Sequence, residues 1–101
     1  MTEPNDWRSP IHPGEILADE LAEIGLSGAQ LANRLNVPDN RIYQILQGKR
    51  AVTVDTALRL GRFFGTDPDI WLVLQKDYEL DVAQAEQSVD LDSIIPYRVA
   101  A

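Results

Sequence analysis

At 101 residues the chain has room for one hydrophobic core, not two. Its 45% hydrophobic and 25% charged residues are ordinary for a globular domain. The lack of cysteine excludes disulfides, Cys-ligated zinc, iron–sulfur clusters and thiol nucleophiles, and the single histidine, His12, excludes any site built on two imidazoles. The net charge of −7 hides an uneven distribution. Residues 27–65 carry Arg34, Arg41, Lys49, Arg50, Arg59 and Arg62 against only Asp39 and Asp55. Residues 1–26 set Arg8 against six acidic residues, and residues 66–101 set Lys76 and Arg98 against eight. A basic middle between two acidic ends predicts different partners for different faces. No apolar run approaches the roughly 20 residues of a membrane span. The acidic stretch Met1–Asp6 lacks the basic-then-apolar layout of a secretory signal. A cytoplasmic chain is expected.

Helical periodicity dominates, so the expected class is all-α. Residues 1–12 read as an N-terminal arm, 13–85 as the domain and 86–101 as a short C-terminal extension. The first helix starts near Pro13, which suits the first helical position, and turns Ile16, Leu17, Leu21 and Ile24 inward. Gly25 stops it. His12, between Ile11 and Pro13, is expected to cap or pack the helix entry. Ser27 is the expected N-cap of a short second helix that buries Leu31, Ala32 and Leu35. Pro38 interrupts that helix and opens a third, ending at Gly48. Thr53 and Asp55 open a fourth, with Ala57, Leu58, Gly61 and Phe64 inward and Gly65 as its stop. Asp67-Pro68 opens a fifth over about 68–85. The extension reads as a helix end, a short strand or a loose arm.

Two short helices joined by a brief turn at about 27–48 have the layout of a DNA-binding helix-turn-helix. On the third helix, Ile42, Ile45 and Leu46 share one arc of about 100°, and Asn40, Tyr43, Gln44 and Gln47 share the opposite one. That second face is all amides and one phenol, where a merely solvated helix normally carries charges. Asn and Gln each offer a donor and an acceptor to adenine, and Tyr a hydroxyl and a ring edge to a thymine methyl. Arg41 and Asp39 flank this stripe. Gly48-Lys49-Arg50 then puts two cations in a turn where a duplex backbone would pass. Arg34, Arg59 and Arg62 extend the cationic surface or pair with the acidic first helix. The alternative for the amide face is a protein-binding surface, and the local positive charge favours DNA.

Leu31-Ala32, Val37, Ile42, Ile45-Leu46, Gly48-Lys49-Arg50 and Thr56-Ala57-Leu58-Arg59-Leu60 resemble the Xre/Cro family of phage-repressor-like helix-turn-helix proteins. More narrowly, Pro10–Leu17, Val37–Ile42, Gly48–Thr53 and Phe64–Leu72, in that order, resemble the HigA (VapI-like) antitoxins over about residues 9–80. The resemblance implies a five-helix, phage-repressor-like fold and a homodimer on double-stranded operator DNA. It further implies a bacterial, nucleoid-associated repressor of its own operon that neutralises a HigB-like RNase toxin. An orphan regulator without a toxin and a bundle that binds protein instead of DNA are the alternatives. One position departs from the wider family, where glutamine often grips a phosphate at the second position of the second helix. Here it is Gly28, so a backbone N–H or another residue must anchor the phosphate.

The run Ile70–Leu74 is apolar around nearly the whole helix. It is either a central core helix or a peripheral one that needs a partner, and Ile70, Trp71, Leu74 and Tyr78 are the expected homodimer contacts. A toxin that holds RNA is cationic, so an acidic surface fits it: the Glu15, Asp19, Glu23 face of the first helix, or the Asp77–Asp92 stretch. Of Asp77, Glu79 and Asp81 only the outer two share a helix face, and Asp67 and Asp69 suit a helix N-terminus. With no phosphate-cradling glycine loop and no nucleophile–base pair, no enzyme, metal, cofactor or small-molecule ligand is expected.

Overall fold

A computed structural model describes residues 10–97, apart from the side chains of residues 87–89. Among the described residues the chain forms five helices and no strand: α1 (Pro13–Ile24), α2 (Gly28–Leu35), α3 (Asp39–Leu46), α4 (Val54–Phe64) and α5 (Asp69–Asp92). The expected all-α, five-helix class is what folds.

Local chemistry sets the boundaries. His12 caps α1 with its ring: Nδ1 accepts the Gly14 N–H at 2.9 Å, while the Glu15 carboxylate accepts the His12 N–H, a reciprocal box. Ser27 and Gln30 repeat the device at α2, with bonds of 3.1 and 2.8 Å. Asn36 closes α2 in the left-handed conformation, φ 60°, so the chain turns sharply into Pro38 and α3. Thr53 caps α4 through the Thr56 N–H. The Asp67 carboxylate accepts the Asp69 N–H ahead of α5.

The core draws on every helix: Leu17 and Leu21, Leu31, Ala32 and Leu35, Ile42 and Ile45, Ala57 and Leu60, and Trp71, with Val52 from the α3–α4 connection. Helix α2 packs on α3 and α4, and α5 lies along α1 and α4. Gly14 makes the α1–α3 contact possible, because a Cβ there would overlap the Ile45 carbonyl oxygen.

Four expectations need correction. Ile24, at the last turn of α1, is exposed, because α1 has already left the core at Leu21. Leu58 is 55% exposed; α4 instead turns Thr56, Ala57, Leu60 and Gly61 inward, one position around the wheel. Trp71, expected at a dimer contact, is 4% exposed and stacks near Phe64 at 6.2 Å. Finally, α5 runs to Asp92, through the boundary placed at 85/86, and no strand follows through residue 97. Residues 1–9 of the expected arm and 98–101 of the extension lie outside the described residues.

Candidate nucleic-acid interface

Helix α3 is anchored by Ile42 and Ile45, both fully buried, and this fixes which side faces out. Asn40 and Gln47 stand exposed on that side, Tyr43 is 41% exposed and Gln44 is half-buried. The four residues singled out for base reading thus share one face, and the structure adds what holds two of them. The Tyr43 hydroxyl accepts the Ala29 N–H at 3.2 Å, and its ring packs against Gly28, where a Cβ would come within 2.9 Å. Gly28 is therefore the space that lets Tyr43 bridge α3 to the first turn of α2. It cannot carry a phosphate-gripping side chain while that bridge stands. The Gln44 carbonyl oxygen accepts from Arg50 Nε at 2.8 Å, so the reading helix and the basic turn are tied together.

Tyr43→Phe removes an acceptor from Ala29 without changing the ring. A loss of roughly 0.5–1.5 kcal/mol in stability is expected from urea denaturation. An unchanged midpoint would leave the hydroxyl free for base contact.

The flanking residues divide. Lys49 and Arg50 are exposed in the turn after α3, and Asp39 is exposed in its first turn, with Pro38 rather than Asp39 at the cap position. Arg41 points to α4, where it meets Asp55 at 2.6 Å. Asp55 also accepts from Arg59 Nε at 3.0 Å, and Arg59 donates onward to the Leu35 carbonyl at 2.8 Å. Arg59 therefore pairs within α4 and with α2, not with the acidic first helix. Hydrogen bonds from Arg59 and then Arg41 hold the Asp55 carboxyl below its ordinary pKa. Beside this chain, Arg41, Arg50, Thr53 and Asp55 line a cleft of about 270 Å³ between α3 and the start of α4. Its two guanidinium groups suit a phosphate.

Sequence reasoning missed two of the supports. Asp55 was assigned only to opening α4. Gln75 is buried on α5, where its carbonyl oxygen accepts the Val52 N–H at 2.8 Å and its amide donates to Glu79 at 2.8 Å, pinning the end of the α3–α4 connection. The available signal was position: Gln75 falls on the same side of α5 as Trp71 and Tyr78. A polar group on an inward stripe needs a partner.

Of the expected dimer contacts, only Ile70, at 48%, is largely exposed. Leu74 packs partly on the core, and the Tyr78 ring meets His12 edge-on at 4.8 Å. The outer side of α5 instead carries Ile70, Val73, Leu80 and Leu91, all exposed, within an arc of about 80°. Glu15, Asp19 and Glu23 are all exposed on α1, with Glu15 engaged in the capping box. Among the described residues no three His, Asp or Glu side chains gather as a metal site, and no helix is long and apolar enough to cross a membrane.

Two short helices held at a sharp turn, the second presenting amides beside a basic turn, define a helix-turn-helix domain. The helix-turn-helix family model matches residues 17–71. Virulence-associated protein I of Dichelobacter nodosus is 49% identical over 88 residues, covering 85% of this chain and 80% of that protein. Among solved structures, a HigA-family addiction module antidote protein of Coxiella burnetii is similar with a TM-score of 0.86 and 47% identity, over 89% of this chain and all of that one. The Pseudomonas aeruginosa antitoxin HigA, solved with the higBA promoter, has a TM-score of 0.84 and 41% identity, over 88% and 99% of the two chains. The chain belongs to the helix-turn-helix family and, within it, to the HigA antitoxins.

Proposed function

We propose that the protein is a cytoplasmic, non-enzymatic repressor that binds operator DNA as a homodimer, regulates its own operon and neutralises a HigB-like RNase toxin. One observation carries the DNA reading: Asn40, Tyr43, Gln44 and Gln47 share the outer face of α3, and the basic turn Lys49–Arg50 is bonded directly to it. In this reading α3 enters the major groove, Asn40 and Gln47 read base edges, and Tyr43 and Gln44 act between structure and readout. Lys49, Arg50 and the Arg41 cleft take phosphates, with Asp39 and Gly28 at the margin. The two copies of α3 stand about 34 Å apart across the two-fold axis. The similarity to an antitoxin solved with promoter DNA supports this assignment.

The test uses duplexes selected from a random pool. Asn40→Ala and Gln47→Ala are each expected to cost roughly 1–3 kcal/mol on the selected duplex and little on random DNA. Lys49→Ala is expected to weaken both and to reduce the salt slope by about one. Equal losses on both duplexes from the amide variants would sink the base-reading assignment. For the toxin, charge complementarity supports the α1 face. Reversing Asp19 and Glu23 leaves the capping box intact. It should abolish capture of a basic RNase toxin and spare DNA binding.

A further inference from the structure

The DNA-facing turn is held from behind by a residue that takes no part in the readout. His12 is 6% exposed, and three elements surround its ring. From α1, Gly14 donates its N–H to Nδ1. From α5, Tyr78 meets the ring edge-on at an interplanar angle of 71°. From the turn, Gly48 presses its backbone on the ring, close enough that a Cβ would lie 3.8 Å from Cγ, and the Arg50 carbonyl accepts a hydrogen bond from the imidazole. With Nδ1 engaged as an acceptor, the donor to Arg50 is Nε2. Only one neutral tautomer satisfies both partners.

We infer that His12 is a positioning residue for the basic turn: its neutral ring holds Gly48–Arg50 where Lys49 and Arg50 meet phosphate, and protonating the ring weakens operator binding. This rests on the reading of that turn as a DNA contact. A proton on Nδ1 would set two donors against each other at Gly14, ending the cap and loosening the α1 entry on which the turn leans. The charged and titratable groups that face the ring are Glu15 on α1, Arg50 in the turn and Tyr78 on α5. Burial holds the imidazole below its ordinary pKa, against the Glu15 charge and the Arg50 carbonyl, which favour the cation. The neutral form therefore prevails at neutral pH, and the loss sets in on acidification below the ordinary histidine value of about 6.5.

The sign makes the inference testable. A histidine near phosphate ordinarily strengthens DNA binding when it gains a proton. Here acidification must do the reverse. Affinity for a selected duplex is measured from pH 8 to pH 5 at fixed ionic strength, with thermal midpoints alongside. The wild type should lose at least about threefold in affinity. His12→Asn keeps a cap acceptor and an N–H donor that do not titrate, so its affinity should stay flat. His12→Ala should bind more weakly at every pH. A wild-type affinity that rises or stays level on acidification overturns the inference, as does a parallel loss in His12→Asn. If no variant binds duplex at pH 8, the operator reading fails. In that case the amide resonances of Gly48 and Lys49 in the free protein decide the coupling: they must move with the titration of His12, and signals that stay put overturn it.

Discussion

Gly14→Ala is expected to destabilise the protein by about 3 kcal/mol or more, measured as the shift in a urea denaturation curve. The new methyl would overlap the Ile45 carbonyl oxygen, crowd the carbonyl carbon at 2.8 Å and meet His12 Nδ1 at 3.1 Å. None of these atoms can yield cheaply. The Ile45 carbonyl accepts the Gly48 N–H at 3.0 Å and so holds the end of the reading helix, and Nδ1 is the cap of α1. Separating the two helices would also open the contact between Leu17 and Ile45 in the core. Gly25→Ala is the control. It meets nothing within 4 Å but sits at φ 70°, and should cost about 1–2 kcal/mol for the left-handed backbone alone. A Gly14→Ala loss no larger than the Gly25→Ala loss would show that the α1–α3 contact has slack.

This dependence on Gly14 marks where the sequence could and could not be read. The boundaries at Pro13, Gly25, Ser27, Thr53 and Gly65 were legible because capping is local chemistry, decided within three or four residues. The outer face of α3 was legible because Ile42 and Ile45 leave only one way to seat an eight-residue helix. What escaped depends on neighbours distant in sequence. Leu58 looked like core by type, yet its side of α4 faces a solvent cleft beside Arg34 and Arg62. Tyr43 looked like a reader, yet its hydroxyl lies opposite an N–H fourteen residues earlier. Helix α5 seemed to end at 85 because its apolar period fades there. The period fades because the helix has run past its own core, while the backbone continues until Ser93, short of Pro96.

That overrun bears on assembly, where the other large effect is expected. The inner side of α5 is committed to its own protomer through Trp71, Gln75 and Tyr78, so the outer stripe of Ile70, Val73, Leu80 and Leu91 is what a second copy can cover. Two such helices meeting antiparallel about Leu80 would set Ile70 of each opposite Leu91 of the other, a self-complementary arrangement that closes as a two-fold dimer. Ile70→Glu with Leu80→Glu is therefore expected to give a folded monomer by sedimentation equilibrium. Operator affinity should fall by about two to four orders of magnitude, because each half-site then binds without the effective concentration that its partner supplies. Leu74→Glu should act differently. Leu74 packs against the core, so a charge there lowers the unfolding midpoint before it alters assembly. A double variant that stays dimeric with full operator affinity would remove the outer stripe of α5 from the interface. A Leu74 variant that is monomeric but as stable as wild type would return the interface to the inner side.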